Sequence, residues 1–429
     1  MDMLDVSVAK LDNGMRVLTC KLSWAKSIAI GVWFRVGSMH ERNDEHGIAH
    51  FTEHLLFKGT RRHSGRAIAR LIDDMGAYLE AFTERELTCY YARVLPEYLP
   101  RMVKLMAELI TEPALRHRDI IVEREVVLAE INEANDTPDE LVQDAFMEAI
   151  WNGHPLARSV LGKPETVRQF TVDSVMEFMQ RFYTADNAIV TAAGCVDHER
   201  FVDAVERAFN SFGGHARMPR NSAPHARRGV KAIPRSMAQL YFCIGMQAFS
   251  QRQRRCFLAS ILLDLIMGGN ASSRLFQSIR ERLGLAYSIG TTVMGLCDAG
   301  LFAITGSCTP NHLNRVLTAL HREINALLEK GIKRTELERA KMQLRASTVM
   351  AQESVMGQMF QMGRQQIYFG RIIPTSAILT EVEKLTADDV MDVARQLFSR
   401  NALGVGLVGP VDEEMVTALA DAPALVQAM

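Results

Sequence analysis

No run of apolar residues in this sequence reaches the roughly 20 that a membrane-spanning helix needs, although hydrophobic residues make up 48% of it. Nor is one sign of charge in excess. With 49 Lys and Arg against 50 Asp and Glu, the formal net charge is −1, so the chain lacks the global basic field that selects nucleic acid or an anionic lipid surface. Its seven cysteines, at 20, 89, 195, 243, 256, 297 and 308, form no CxxC pair; their odd number and scatter argue against a disulfide framework or a cysteine-held metal and for a reducing compartment. The first residues, MDMLDVSVAKLDNGMRVLT, have neither the basic-then-apolar pattern of a secretion signal nor the Arg-rich, acid-poor pattern of a transit peptide, which predicts a cytoplasmic protein. What remains is an ordinary globular composition in a chain of 429 residues, too long for one typical core and suited to two domains.

An internal repeat gives those domains a shape. VRQFTVDSVM (167–176) aligns with VEKLTADDVM (382–391) at an offset of 215, five of ten positions being identical. NAIVTAAGCVD from Asn187 recurs as NALGVGLVGPVD from Asn401, and SIAIGVWFRVGS from Ser27 corresponds more faintly to AQLYFCIGMQAF from Ala238. Between the copies, residues 213–234 are rich in Gly, Pro and Arg and read as an exposed linker. Short β-rich runs alternate with helical ones: LTCYYARV (87–94) as strand, and 97–110 and 119–135 as helices. The expected fold is α+β in two homologous halves, 1–212 and 235–429, each a mostly antiparallel sheet with helices packed mainly on one face. A doubly wound parallel sheet would need a more regular alternation and a Gly-rich phosphate turn.

The chemistry concentrates in GIAHFTEHLLFKGT, which places His50 and His54 four residues apart with Glu53 between them. On a helix i and i+4 share a face, so two imidazoles there can hold one Zn²⁺ while Glu53 takes a proton from water. This is the HExxH arrangement reversed, itself a zinc-protease pattern. A catalytic zinc needs a third protein ligand, and IIVEREVVLAEINEAN supplies Glu123 and Glu130, seven apart on one helix face. Spacing alone does not choose between them.

GIAHFTEHLLFKGT, EREVVLAEINE with 75 residues between His54 and Glu130, HPLARSVLG, GGNASSRLF, IRERLGLAYS and the late GRQ and VGPVD stretches together resemble the pitrilysin/insulinase metallopeptidases over nearly the whole chain, most closely their bacterial and mitochondrial processing-peptidase-like branch. The resemblance implies that Glu130 is the third ligand and that Glu123 supports the site from behind the ligands. It also matches Arg280 and Tyr287 to the family's pair that reaches bound substrate, where a guanidinium or hydroxyl can steady a developing oxyanion or hold the peptide. The second-half helix equivalent to the HxxEH helix, ASILLDLIMGG, carries no ligand set. In the family a peptide adds as a strand on a sheet edge beside the metal; the matching segment, GAYLEAFTERELTCYY, puts Glu80, Ala81, Phe82 and Thr83 there, with Glu80 where relatives usually have Asn.

The resemblance therefore implies a zinc-dependent endopeptidase that takes short or unfolded polypeptides between the halves of a clamshell. Because the chain carries both the zinc motif and the Arg/Tyr pair, a homodimer is expected, with peptide as substrate and neither nucleic acid nor membrane as partner. Glu140 and Asp144, four apart in TPDELVQDAFMEAI, project from one face of a predicted helix and can share a guanidinium. Matching acids in processing peptidases bind a presequence arginine, which implies a preference for Arg near the cleaved bond. Two rivals are a catalytically silent structural subunit, against which the intact His50, Glu53, His54 and Glu130 speak, and one chain of a heterodimer, against which Arg280 and Tyr287 speak.

Overall fold

The computed structural model describes residues 5–219, 222–399 and 402–421. Within these the chain forms two compact α+β units, the first drawn from 5–132, 159–219 and 348–376, the second from 133–158, 222–347, 377–399 and 402–421.

The first unit holds β1 (Asp5–Lys10), β2 (Arg16–Lys21), β3 (Ile28–Phe34), β4 (Tyr78–Thr83), β5 (Thr88–Val94) and β6 (Ala188–Gly194) in the order β1-β2-β6-β3-β5-β4. The β2/β6 pair is parallel and the others antiparallel, so β4 is an edge. β3 reads IAIGVWF, apolar throughout, because both its faces are covered. Ile28, Ile30, Val32 and Phe34 enter the main core with Phe51 and Leu55 of helix α1 (Ile48–Leu56), Val127 of α2 (His117–Asn135), and Met102, Phe178 and Phe201 of three further helices. Trp33 points the other way, fully buried, its indole N–H donating to Thr191 at 2.9 Å.

The second unit repeats this plan. β7 (Gly229–Pro234), β8 (Leu240–Ala248), β9 (Ser288–Gly295), β10 (Gly300–Cys308) and β11 (Leu403–Gly409) take the order β7-β11-β8-β10-β9, with β7/β11 the parallel pair. Leave out β1, and the two sheets have one topology: β6 corresponds to β11 and β3 to β8, as the repeat indicates. Asn401, where the second copy begins, lies outside the described residues. The last six residues of the expected linker form β7, where Val230 and Ala232 pack against the second core and β11 supplies the backbone partners. The Gly- and Arg-rich composition around this strand hid it.

The units do not follow the sequence halves throughout. α3 (Pro138–Ile150), early in the chain, lies in the second unit against β7, β8 and β11, while α5 (Val355–Phe369), late in the chain, lies in the first against β2, β3 and β6; α4 (Arg254–Met267) stays with its own half. Shifted by the repeat offset of 215, α3 falls on 353–365 and overlaps α5, so the two exchanged helices are equivalent elements. Each covers the sheet face opposite the main helical layer. Close approach makes this specific: a Cβ on Gly363 would lie 2.1 Å from the Trp33 ring, so only glycine lets α5 settle on the indole.

Candidate metal centre

Helix α1 begins at a left-handed glycine, Gly47, with φ of 99°. Any side chain there would also meet Gly162, whose Cα lies 2.7 Å from where the Cβ would be. The Gly47 and Ala49 amides both donate to the Glu41 carboxylate at 2.9 Å, which satisfies donors and the positive dipole at the helix start. The i, i+4 spacing then stacks His50 and His54, ring centroids 4.4 Å apart, with their Nε2 atoms 3.1 Å from one another. From α2, Glu130 brings Oε2 to 3.8 Å from His50 Nε2 and 3.6 Å from His54 Nε2. Four tetrahedral ligands at the usual zinc distance of about 2.0–2.1 Å are separated by about 3.3–3.4 Å. The three distances bracket that spacing, so the donor set fits one zinc ion. Among the described residues this is the one group of three His, Cys, Asp or Glu side chains so gathered.

The surroundings set how these groups are charged. Burial pushes His50 down to about 3, the charge on His54 adding to the effect and that on Glu123 opposing it, so His50 is neutral at ordinary pH. Burial also works against a charged His54, but the hydrogen bond with Glu123 and the charges of Glu130, Glu123 and Glu53 outweigh it and hold its pKa above the ordinary histidine value. His54 Nδ1 donates to Glu123 Oε1 at 2.8 Å, which leaves Nε2 to face the cluster. Glu123 is buried, and burial favours its neutral form; the bonds to His54 and to Lys58 prevail and keep its carboxylate below the usual range. Glu53 is buried too, and burial raises its pKa above the carboxylate norm, with the charge of Glu130 adding; Thr83 and His54 pull the other way. The Thr83 hydroxyl donates to Glu53 Oε2 at 2.6 Å.

The structure thus gathers His50, His54, Glu130, Glu123, Glu53 and Thr83 in the first unit. Spacing left Glu123 and Glu130 undecided, and packing separates them: Glu130 faces the two Nε2 atoms, Glu123 the far nitrogen of His54. The remaining strand residues run along edge strand β4, where Glu80 is exposed and accepts from the Tyr91 hydroxyl at 2.7 Å, Ala81 packs against the core, and Phe82 packs on Trp33, Tyr91 and Phe360. Arg280 and Tyr287 belong to the second unit. They lie together there, the guanidinium 6.0 Å from the Tyr287 ring centroid and 4.7 Å from that of Phe276, and Tyr287 is 78% exposed. Glu140 (exposed) and Asp144 (half-buried) share a face of α3, also in the second unit. Sequence reasoning missed Lys58 and Glu41, and, having placed Thr83 on the substrate strand, it missed the bond from Thr83 to Glu53. Lys58 had a signal, standing four residues after His54; Glu41 had none, since its carboxylate reaches the helix through a loop.

Two related sheets and, among the described residues, one His/His/Glu cluster define a class, the insulinase-type family. Family models described as "Insulinase (Peptidase family M16)" and "Peptidase M16 inactive domain" match residues 16–164 and 169–344, and the chain belongs to this M16 family. It is 34% identical to an uncharacterized zinc protease of Rickettsia felis over 95% of this chain and 98% of the relative, and 35% identical to one of Streptomyces coelicolor over 96% and 92%. A relative so described from Bacillus subtilis is 31% identical over 93% and 97%. Among solved structures, a protease from Helicobacter pylori superposes with a TM-score of 0.85 at 20% identity, covering 95% of this chain and 100% of the other. A "peptidase M16 inactive domain" from Pseudomonas fluorescens does so at 0.86 and 19%, covering 95% and 98%. These two likenesses concern the fold.

Proposed function

We propose that this protein is a zinc-dependent endopeptidase acting on short or unfolded polypeptides, with His50, His54 and Glu130 as the metal ligands. The observation that carries the reading is the convergence of two imidazole nitrogens and one carboxylate oxygen at zinc-ligand spacing, with a buried carboxylate, Glu53, on the same helix. When bound there, zinc would polarise the scissile carbonyl and make water a nucleophile near neutral pH. Glu53 takes the proton from the attacking water and passes it to the departing amine; its raised pKa suits a group that must hold the proton briefly and give it back. Thr83 fixes one Glu53 oxygen and leaves the other for water. Glu123, braced by Lys58, fixes the orientation and proton of His54. Edge strand β4, with Glu80, Ala81, Phe82 and Thr83, pairs with an extended peptide through main-chain bonds and tolerates many sequences. Arg280 and Tyr287 hold the peptide or its developing oxyanion during turnover, and Glu140 with Asp144 favours substrates with Arg near the cleaved bond. A cytoplasmic homodimer completes the reading. The stretch that matches the "Peptidase M16 inactive domain" model, residues 169–344, contains none of His50, His54 and Glu130.

Two substitutions test the assignment. Glu53→Gln should keep full zinc content and lose about 10²- to 10⁴-fold in turnover of an internally quenched peptide. Glu130→Gln should lose zinc itself, since an amide is a poor ligand. Undiminished turnover in zinc-replete Glu53→Gln would remove Glu53 from the mechanism.

A further inference from the structure

The late GRQ stretch has no part in the chemistry described so far. Its arginine, Arg364, lies on α5, the helix that the first unit takes from the other half of the chain. There its guanidinium grips Glu84 with two hydrogen bonds, 2.8 Å from Nη1 to Oε2 and 2.6 Å from Nη2 to Oε1, and sits 5.7 Å from the Phe82 ring centroid. One turn earlier on α5, Phe360 packs edge-on against Phe82 at 5.7 Å and against Tyr91 and Trp33 at 5.1 and 6.0 Å. Phe82 and, one residue past the end of β4, Glu84 both meet α5, while Thr83, between them, faces the metal cluster and donates to Glu53. The residues on either side of the one that holds the base are thus both held by α5.

On the peptidase reading above, we infer that Arg364 is a positioning residue: through Glu84 it fixes the end of edge strand β4, and thereby the Thr83 hydroxyl that orients Glu53. A planar guanidinium bound through two donors sets direction as well as distance, which a lysine would not. Small displacements of a catalytic group are costly in rate. The element that aims the base therefore comes from the half of the sequence that lacks zinc ligands.

The test uses the full chain as R364M, R364K, E84Q, T83A and the R364M/T83A double variant. Measurements are zinc content, kcat and KM on a quenched peptide, and backbone amide exchange over 78–88. R364M and E84Q should keep their zinc, lose about tenfold in kcat and exchange faster in this segment alone, with R364K intermediate. In the T83A background R364M should cost nothing further in kcat, because both changes break one path. E84Q, which leaves α5 intact, carries the test if R364M fails to fold. Wild-type kcat and exchange in R364M and E84Q, or losses that multiply in the double variant, would overturn the inference. If the wild type binds zinc and cuts no peptide, the peptidase reading fails instead. The exchange data then decide the clamp, faster exchange supporting it and unchanged exchange overturning it.

Discussion

His50 and His54 share one cluster, yet burial holds the first neutral while three carboxylates, Glu123 foremost, hold the second above its ordinary pKa. Zinc can take a lone pair only from a deprotonated nitrogen. His50 therefore offers its nitrogen without cost over the whole physiological range, whereas His54 must first lose a proton. Below the raised pKa of His54, each metal bound should release that proton, so zinc affinity should climb with pH until the raised value is passed and then level off. Chelator competition between pH 5.5 and 8.5 measures the climb, and calorimetry in buffers of different ionisation enthalpy counts the proton. Affinity independent of pH would mean that His54 is already neutral when the metal arrives. At this scale the motif was legible because i, i+4 geometry is local; the division of labour between Glu123 and Glu130 was legible only through the family resemblance and not from spacing, because both lie on one face of α2 and only the position of α1 tells them apart.

Among the elements, the exchanged helices α3 and α5 show how a sheet acquires its second cover. Gly363 admits the Trp33 ring, so Gly363→Ala should force α5 away from β3 and destabilise the first unit by about 1–3 kcal/mol, read as a lower urea midpoint with zinc present and absent. An unchanged midpoint would show that α5 lies on Trp33 loosely. α3 bears on specificity. If its acids hold a substrate arginine, Glu140→Gln with Asp144→Asn should erase a preference for peptides with Arg near the cleaved bond while neutral peptides are cut as before. Equal losses on both kinds of peptide would place the pair in the support of the fold. The helical character of 138–150 was readable from its apolar spacing. Its place in the second unit was not, since nothing in a helix's own pattern says which sheet it will cover.

For the whole molecule, the proposal of a homodimer with shared sites predicts a specific rescue. Tyr287→Phe should lower turnover with zinc content unchanged, and mixing Glu53→Gln with Tyr287→Phe subunits should restore part of the activity, because each mixed pair keeps one intact combination. No recovery after demonstrated subunit exchange would assign a self-contained site to each chain. The sequence by itself determined the α+β class, the twofold repeat, the helix that stacks His50 and His54, and the lack of a second ligand set, because each follows from periodicity or spacing within a few turns or from one segment matching another. Spacing left the choice of acid open and the family resemblance alone pointed to Glu130; tertiary structure decided that Glu41 caps the metal helix, that Thr83 orients Glu53, and that the helix behind that strand comes from the far half of the chain. Apart from the Glu41 cap, which spans a loop of 6 to 8 residues, those contacts join residues 30 to 280 positions apart, and a chain's local pattern records what each segment must bury but not which distant segment will bury it.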